Sequence, residues 1–155
     1  MKGNQQLLDT LNDLLAEELS AINQYMVHSE MCANWRYGKL HEANEKHAID
    51  EMKHAEKLIE RILFLEGTPV VSNLKEIQIG ATVPAQHKND HDSEEGAIRA
   101  YNAAIRLAQE VDDNGTRELL DGILKDEEEH FDWLDAKLIQ IDQMTLENYL
   151  AEQTS

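Results

Sequence analysis

Apolar residues recur at spacings of three and four along four stretches, roughly 5–34, 39–66, 84–111 and 116–143, the period of a helix with one buried face. At ~1.5 Å per residue such stretches make rods of ~42 Å, so a bundle of long helices is expected. Gly38 interrupts the pattern in the first pair, and Asp112-Asp113-Asn114-Gly115 offers a stop and restart in the second, predicting two tight antiparallel hairpins. Pro84 suits a first helical turn. Gly67 to Val83 is too long for a simple turn. Extended at ~3.3 Å per residue it reaches ~56 Å, enough to run the length of the bundle and leave the second and third helices parallel. Val70 and Val71 are placed to pair as a short strand on the way. Thr145 to about Glu152 predicts a short fifth helix, with Thr145 as its N-cap and little burial in an isolated chain. The expected class is all-α, a four-helix bundle with one long crossover, forming a single domain over residues 1–155.

Composition narrows the chemistry. Fourteen Lys and Arg against 31 Asp and Glu give a formal charge of -17, which excludes a basic patch for nucleic acid or an anionic membrane and makes cations the natural clients. Cys32 is the only cysteine, so an intrachain disulfide and thiolate metal sites are excluded. No run approaches ~18 uncharged apolar residues and the N-terminus has no apolar signal core, so no membrane span is expected. A reducing compartment, the cytoplasm, is the expected location.

Sliding the chain against itself by 76 residues aligns Glu18 with Glu94, Tyr25 with Tyr101, Glu51 with Glu127 and His54 with His130. Apolar pairs follow, among them Ile22 with Ile98 and Leu58 with Leu134. The two hairpins therefore look like a duplicated unit related by a pseudo-two-fold axis. The pattern Glu-x-x-His occurs at Glu51–His54 and Glu127–His130. Its composition supplies about one such copy by chance, so the register carries the weight. Residues three apart share a helix face, and here that face is the apolar stripe. Every helix carries one glutamate into its stripe: Glu18, Glu51, Glu94 and Glu127. Neighbours such as Glu17, Glu95 and Glu128 lie ~100° away, on solvated faces. Four carboxylates in an apolar interior repel and cost several kcal/mol each to desolvate, and no Lys or Arg shares these stripes. Two divalent cations cancel the charge, and two imidazoles complete an N/O ligand set suited to Fe or Mn.

Together, LLAEELSAINQY (Leu14 to Tyr25), DEMKHAEKLIERILFLEG (Asp50 to Gly67), DEEEHFDWL (Asp126 to Leu134) and Leu146-Glu147-Asn148-Tyr149-Leu150 resemble the ferritin-like di-iron superfamily and, within it, the bacterioferritins. The third helix matches only through Glu94 and Tyr101. The resemblance implies a homo-oligomeric 24-subunit shell built from two-fold dimers. It implies a ferroxidase that oxidises Fe(II) with O2 or H2O2 at two irons per chain and stores ferric mineral inside. It assigns Glu18 and His54 to one iron, Glu94 and His130 to the other, and Glu51 and Glu127 as bridges, and it places a ferredoxin-type reductant among the partners.

Other residues keep two readings. Tyr25 either hydrogen-bonds a ligand or takes part in electron transfer, or it fills the core with its hydroxyl satisfied; Tyr101 reads as core filler. Met52 lies ~100° from Glu51, on a second stripe with Ile49, Ile59 and Leu63 that argues for a subunit interface. The resemblance instead makes it the ligand of a b-type haem shared by two subunits. Departures from that pattern are Glu45 where an aromatic is expected and Met26 where a larger ring is common. His47 reads as a core-edge histidine, or as one acting close to the metal pair. His87 and His91, near the start of the third helix, read as exposed or partly buried, with an auxiliary metal role as the alternative. The rival function is a di-iron or di-manganese peroxidase or catalase without storage.

Overall fold

The computed structural model describes residues 1–155 and contains α1 (Gln5–Asn34), α2 (Gly38–Phe64), α3 (Val83–Glu110), α4 (Asn114–Met144) and α5 (Leu146–Ala151). The first two long helices form one antiparallel hairpin and the next two another. Side-chain pairs between α1 and α3 and between α2 and α4 run in opposite chain directions, so α2 and α3 are parallel, as the crossover length requires.

The helix starts follow capping chemistry. Asn4 accepts from the Leu7 amide at 3.0 Å, Thr82 from the Ala85 amide at 3.3 Å just ahead of Pro84, and Asp113 from the Thr116 amide and hydroxyl at 3.0 and 2.7 Å. The second hairpin stops and restarts where expected, between Glu110 and Asn114, but no break uses the conformational freedom of a glycine. Gly38 is the first residue of α2, and no glycine has positive φ. Arg36, Glu66 and Asp112 instead take left-handed conformations at φ 68°, 62° and 58°. The amide after each then reaches back five residues, Tyr37 to Cys32, Gly67 to Ile62 and Asp113 to Ala108, at 2.8–2.9 Å. This repeated closure satisfies the terminal carbonyls and offsets the strain of a side chain in that region.

The crossover is held by a polar row on α1. Asn12 accepts from the Val70 amide at 2.8 Å, Ser20 from Lys75 at 2.7 Å, Gln24 from Gln78 at 3.1 Å and His28 from Gly80 at 3.0 Å. These α1 positions share one face, so the segment runs alongside α1 with its amides paired to side chains. Val70 and Val71 accordingly form no strand. Gly80 is required by close approach: a Cβ there would lie 2.3 Å from the Gln86 nitrogen. Thr145 precedes α5 but makes no capping bond, and its φ is 70°, so it serves as the sharp break after α4. Contrary to expectation α5 is anchored, with Tyr149 fully buried beside Cys32, Leu40 and Val83. At the other end, leucines of α1 pack with Leu58, Ile62, Tyr101, Leu120 and Ile123, each buried side chain contributing about 1.5–3 kcal/mol. The acidic residues lie between these two apolar layers. No helix is long and apolar enough to cross a membrane.

Candidate metal centre

Glu18, Glu51, His54, Glu94, Glu127 and His130 converge between the apolar layers, and none is more than 4% exposed. They form two overlapping groups, Glu18-Glu51-His54-Glu127 and Glu51-Glu94-Glu127-His130. The shared glutamates lie between the imidazoles. Glu51 Oε1 is 3.4 Å from His54 Nδ1 and 3.3 Å from His130 Nδ1, and Glu127 Oε1 is 3.0 and 3.9 Å from the same atoms. Glu18 reaches only His54, at 3.5 Å, and Glu94 only His130, at 3.4 Å.

Each ligand is held from behind. His54 Nε2 donates to Asp126 at 2.8 Å and His130 Nε2 to Asp50 at 3.0 Å. A carboxylate only accepts, so the proton sits on Nε2 and the Nδ1 lone pair faces the cluster. Tyr101 donates to Glu18 Oε1 at 2.5 Å and Tyr25 to Glu94 Oε1 at 2.6 Å. These bonds cross between hairpins, each repeat supplying the support for the other's ligand, as a two-fold arrangement demands. Tyr101 is thus more than core filler. Asp50 and Asp126 were missed as supports, although they are themselves 76 residues apart.

One atom from each of the six residues, Glu18 Oε2, Glu51 Oε1, His54 Nδ1, Glu94 Oε2, Glu127 Oε1 and His130 Nδ1, is buried without any hydrogen-bond partner. Stranding six such atoms in one place is costly, whereas as inward lone pairs they form the donor set of a pair of divalent cations. The electrostatics agree. Burial and then the neighbouring carboxylates raise Glu51 and Glu127 well above the usual range. Burial opposes charge on the imidazoles, but the facing carboxylates push them up, Glu127 and Glu18 taking His54 to about 10 and Glu94 taking His130 to about 9. Burial opposes charge on Glu94 too, but His130 and the Tyr25 hydroxyl hold it below the usual range.

With this geometry in hand, comparison with known proteins is decisive. The ferritin family model, a ferritin-like domain, matches residues 8–144. The chain is 38% identical over 155 residues to a bacterioferritin of Mycolicibacterium paratuberculosis, covering 100% of this chain and 98% of that one. It is 41% identical over 156 residues to a bacterial ferritin of Synechocystis, covering all of both. The chain belongs to the bacterioferritin family. A bacterioferritin of Brucella melitensis is 34% identical over 149 residues, 96% of this chain and 92% of its own.

The remaining candidates fall on both sides of this centre. His47 is buried with its ring centroid 4.5 Å from that of His130, and burial followed by the charge of His130 pushes it down to about 3. His87 is not exposed: it is buried, with Nε2 2.8 Å from the Tyr149 hydroxyl. That bond joins α3 to α5, a long-range contact without a local signal. His91 is partly buried, as expected. Met52 is half-exposed on a separate apolar face that includes Ile22, Met26, Ala48 and Ile49.

Proposed function

We propose that this chain is an iron-storage ferroxidase, binding two Fe(II) as substrate and passing Fe(III) to a mineral inside a hollow shell. The six unpartnered ligand atoms carry this reading. Glu18 and His54 would hold one iron, Glu94 and His130 the other, with Glu51 and Glu127 shared. Four carboxylates neutralise two Fe(II), and each imidazole adds a donor without charge. A cavity of about 300 Å³ lined by Glu17, Glu76, Asp92 and Ser93 reaches Glu18, Glu51, Glu94 and Glu127 and supplies an acidic route for the cation. Oxidation takes one electron from each iron, and O2 or H2O2 receives them. Asp50, Asp126, Tyr25 and Tyr101 keep the ligands in place, and Tyr25, nearest Glu94, is the candidate electron donor.

The face around Met52 fits a b-type haem in two respects, an apolar wall and a soft thioether. Met52 from each of two chains would hold the group, which supplies one-electron transfer when bound. Exposed Met26, Ile49 and Met52 on this face support dimerisation there, the building block of a cytoplasmic 24-subunit shell that a ferredoxin-type reductant empties.

Anaerobic Fe(II) titration followed by air tests the reading. Rapid oxidation at two irons per chain, abolished in Glu51→Ala and Glu127→Ala, is expected, in a particle of about twenty-four chains that gains electron-dense cores. A discrete monomer or dimer with peroxide turnover and no core would favour a peroxidase or catalase.

A further inference from the structure

Of the partnerless buried side-chain atoms outside the six, His91 Nδ1 lies beside carboxylates. Its ring repeats the arrangement of the central histidines. Nε2 faces Asp135 Oδ1 at 3.3 Å, so the proton sits on Nε2 and a carboxylate orients the imidazole from behind, as Asp126 does for His54 and Asp50 for His130. Phe131 stacks on the ring at 4.4 Å and fixes its plane. Nδ1 is left as a bare lone pair 3.8 Å from the Asp92 carboxylate, with Glu95 one turn along α3. One ligand atom from each of His91, Asp92 and Glu95 lies within 4.8 Å of the other two. The buried Nδ1 lone pair has no partner of its own, a cost that a bound cation removes.

We infer that His91, Asp92 and Glu95 form a further divalent-cation site on α3, with Asp135 as the positioning residue behind its histidine. Asp92 also lines the cavity that reaches Glu18, Glu51, Glu94 and Glu127, whereas His91 and Glu95 do not, so the site borders that cavity through one ligand. Lys88 and Arg99 pair with Asp92 and Glu95 at 3.0 and 3.4 Å. Both pairs are solvent-exposed and worth little in water, so a doubly charged ion displaces them. The N/O donor set suits Zn, Fe or Mn.

Zinc alone is the probe, read by anomalous difference maps of soaked crystals of the full chain and by equilibrium dialysis. Three ions per chain are expected, two in the buried cluster and one on His91 Nδ1. His91→Gln should lose the third. Asp135→Asn should weaken it about tenfold or more, as removal of an orienting partner does. Glu51→Gln combined with Glu127→Gln should lose the buried pair and keep the α3 ion. No zinc at His91 Nδ1 in the parent, or the same count in His91→Gln, overturns the inference whatever the buried cluster binds. Zinc at His91 with none among the six leaves the α3 site standing and removes the di-iron reading instead.

Discussion

Replacing Glu51 by Gln should stabilise the metal-free protein while weakening metal binding. In the folded chain burial, then Glu18 and Glu94, raise the Glu51 carboxyl well above its ordinary 4.5, so the folded chain favours the protonated form more than the unfolded chain does. Folding is therefore linked to proton uptake, each pH unit between the unfolded and folded values costing up to about 1.4 kcal/mol. The sign follows: a raised carboxyl stabilises the fold fully below its unfolded pKa and progressively less as pH rises. The Gln variant has no proton to take up, so its advantage should be larger at pH 7 than at pH 5. For 155 residues each kcal/mol of that advantage is about 2–4 °C in Tm. Calorimetry in chelator at both pH values, at equal chain concentration, reads it. Adding Zn2+ should then raise the parent's Tm more than the variant's. A variant that melts below the parent at pH 7, or an advantage independent of pH, would refute the claim that these acids are held together against their own repulsion.

Tyr101→Phe and Tyr25→Phe each strand a buried carboxylate oxygen, and chemical denaturation of the metal-free chain should show losses of about 1.5–3 kcal/mol in both; a loss in one alone would contradict their equivalence. Asp90→Ala removes the hydrogen-bond partner of fully buried His28, 2.9 Å away, and should cost about 1.5–3 kcal/mol, with hydrogen exchange accelerating first at the Gln78 and Gly80 amides that α1 holds. Burial, with Lys137 and His28 nearby, pushes His87 down from 6.5 to about 4. The unfolded chain takes up the proton first, so stability is complete above pH 6.5 and falls toward pH 4, by about 3 kcal/mol at most. The difference between parent and His87→Gln in urea melts should track that window, and a flat difference would exclude the assignment. Met52→Leu should abolish the haem absorption band of protein purified with haem while leaving iron oxidation intact; retained absorption would remove Met52 as the ligand.

The placement of Glu18, Glu51, Glu94 and Glu127 was legible in the chain because helical period and the 76-residue repeat are local properties, readable wherever a polar residue interrupts an apolar stripe. The crossover's length forced parallel α2 and α3 for the same reason. Other features were decided only when separate elements met. Which tyrosine serves which glutamate, how Asp50 and Asp126 exchange across the two-fold, and why His87 is buried against Tyr149 depend on inter-helical distances that no spacing within one helix encodes. The left-handed residues at the helix stops, Arg36, Glu66 and Asp112, are likewise not glycines, since returning amide bonds and tertiary packing outweigh the modest strain of a left-handed side chain. Periodicity fixes what faces inward; only the assembled bundle fixes which inward groups touch.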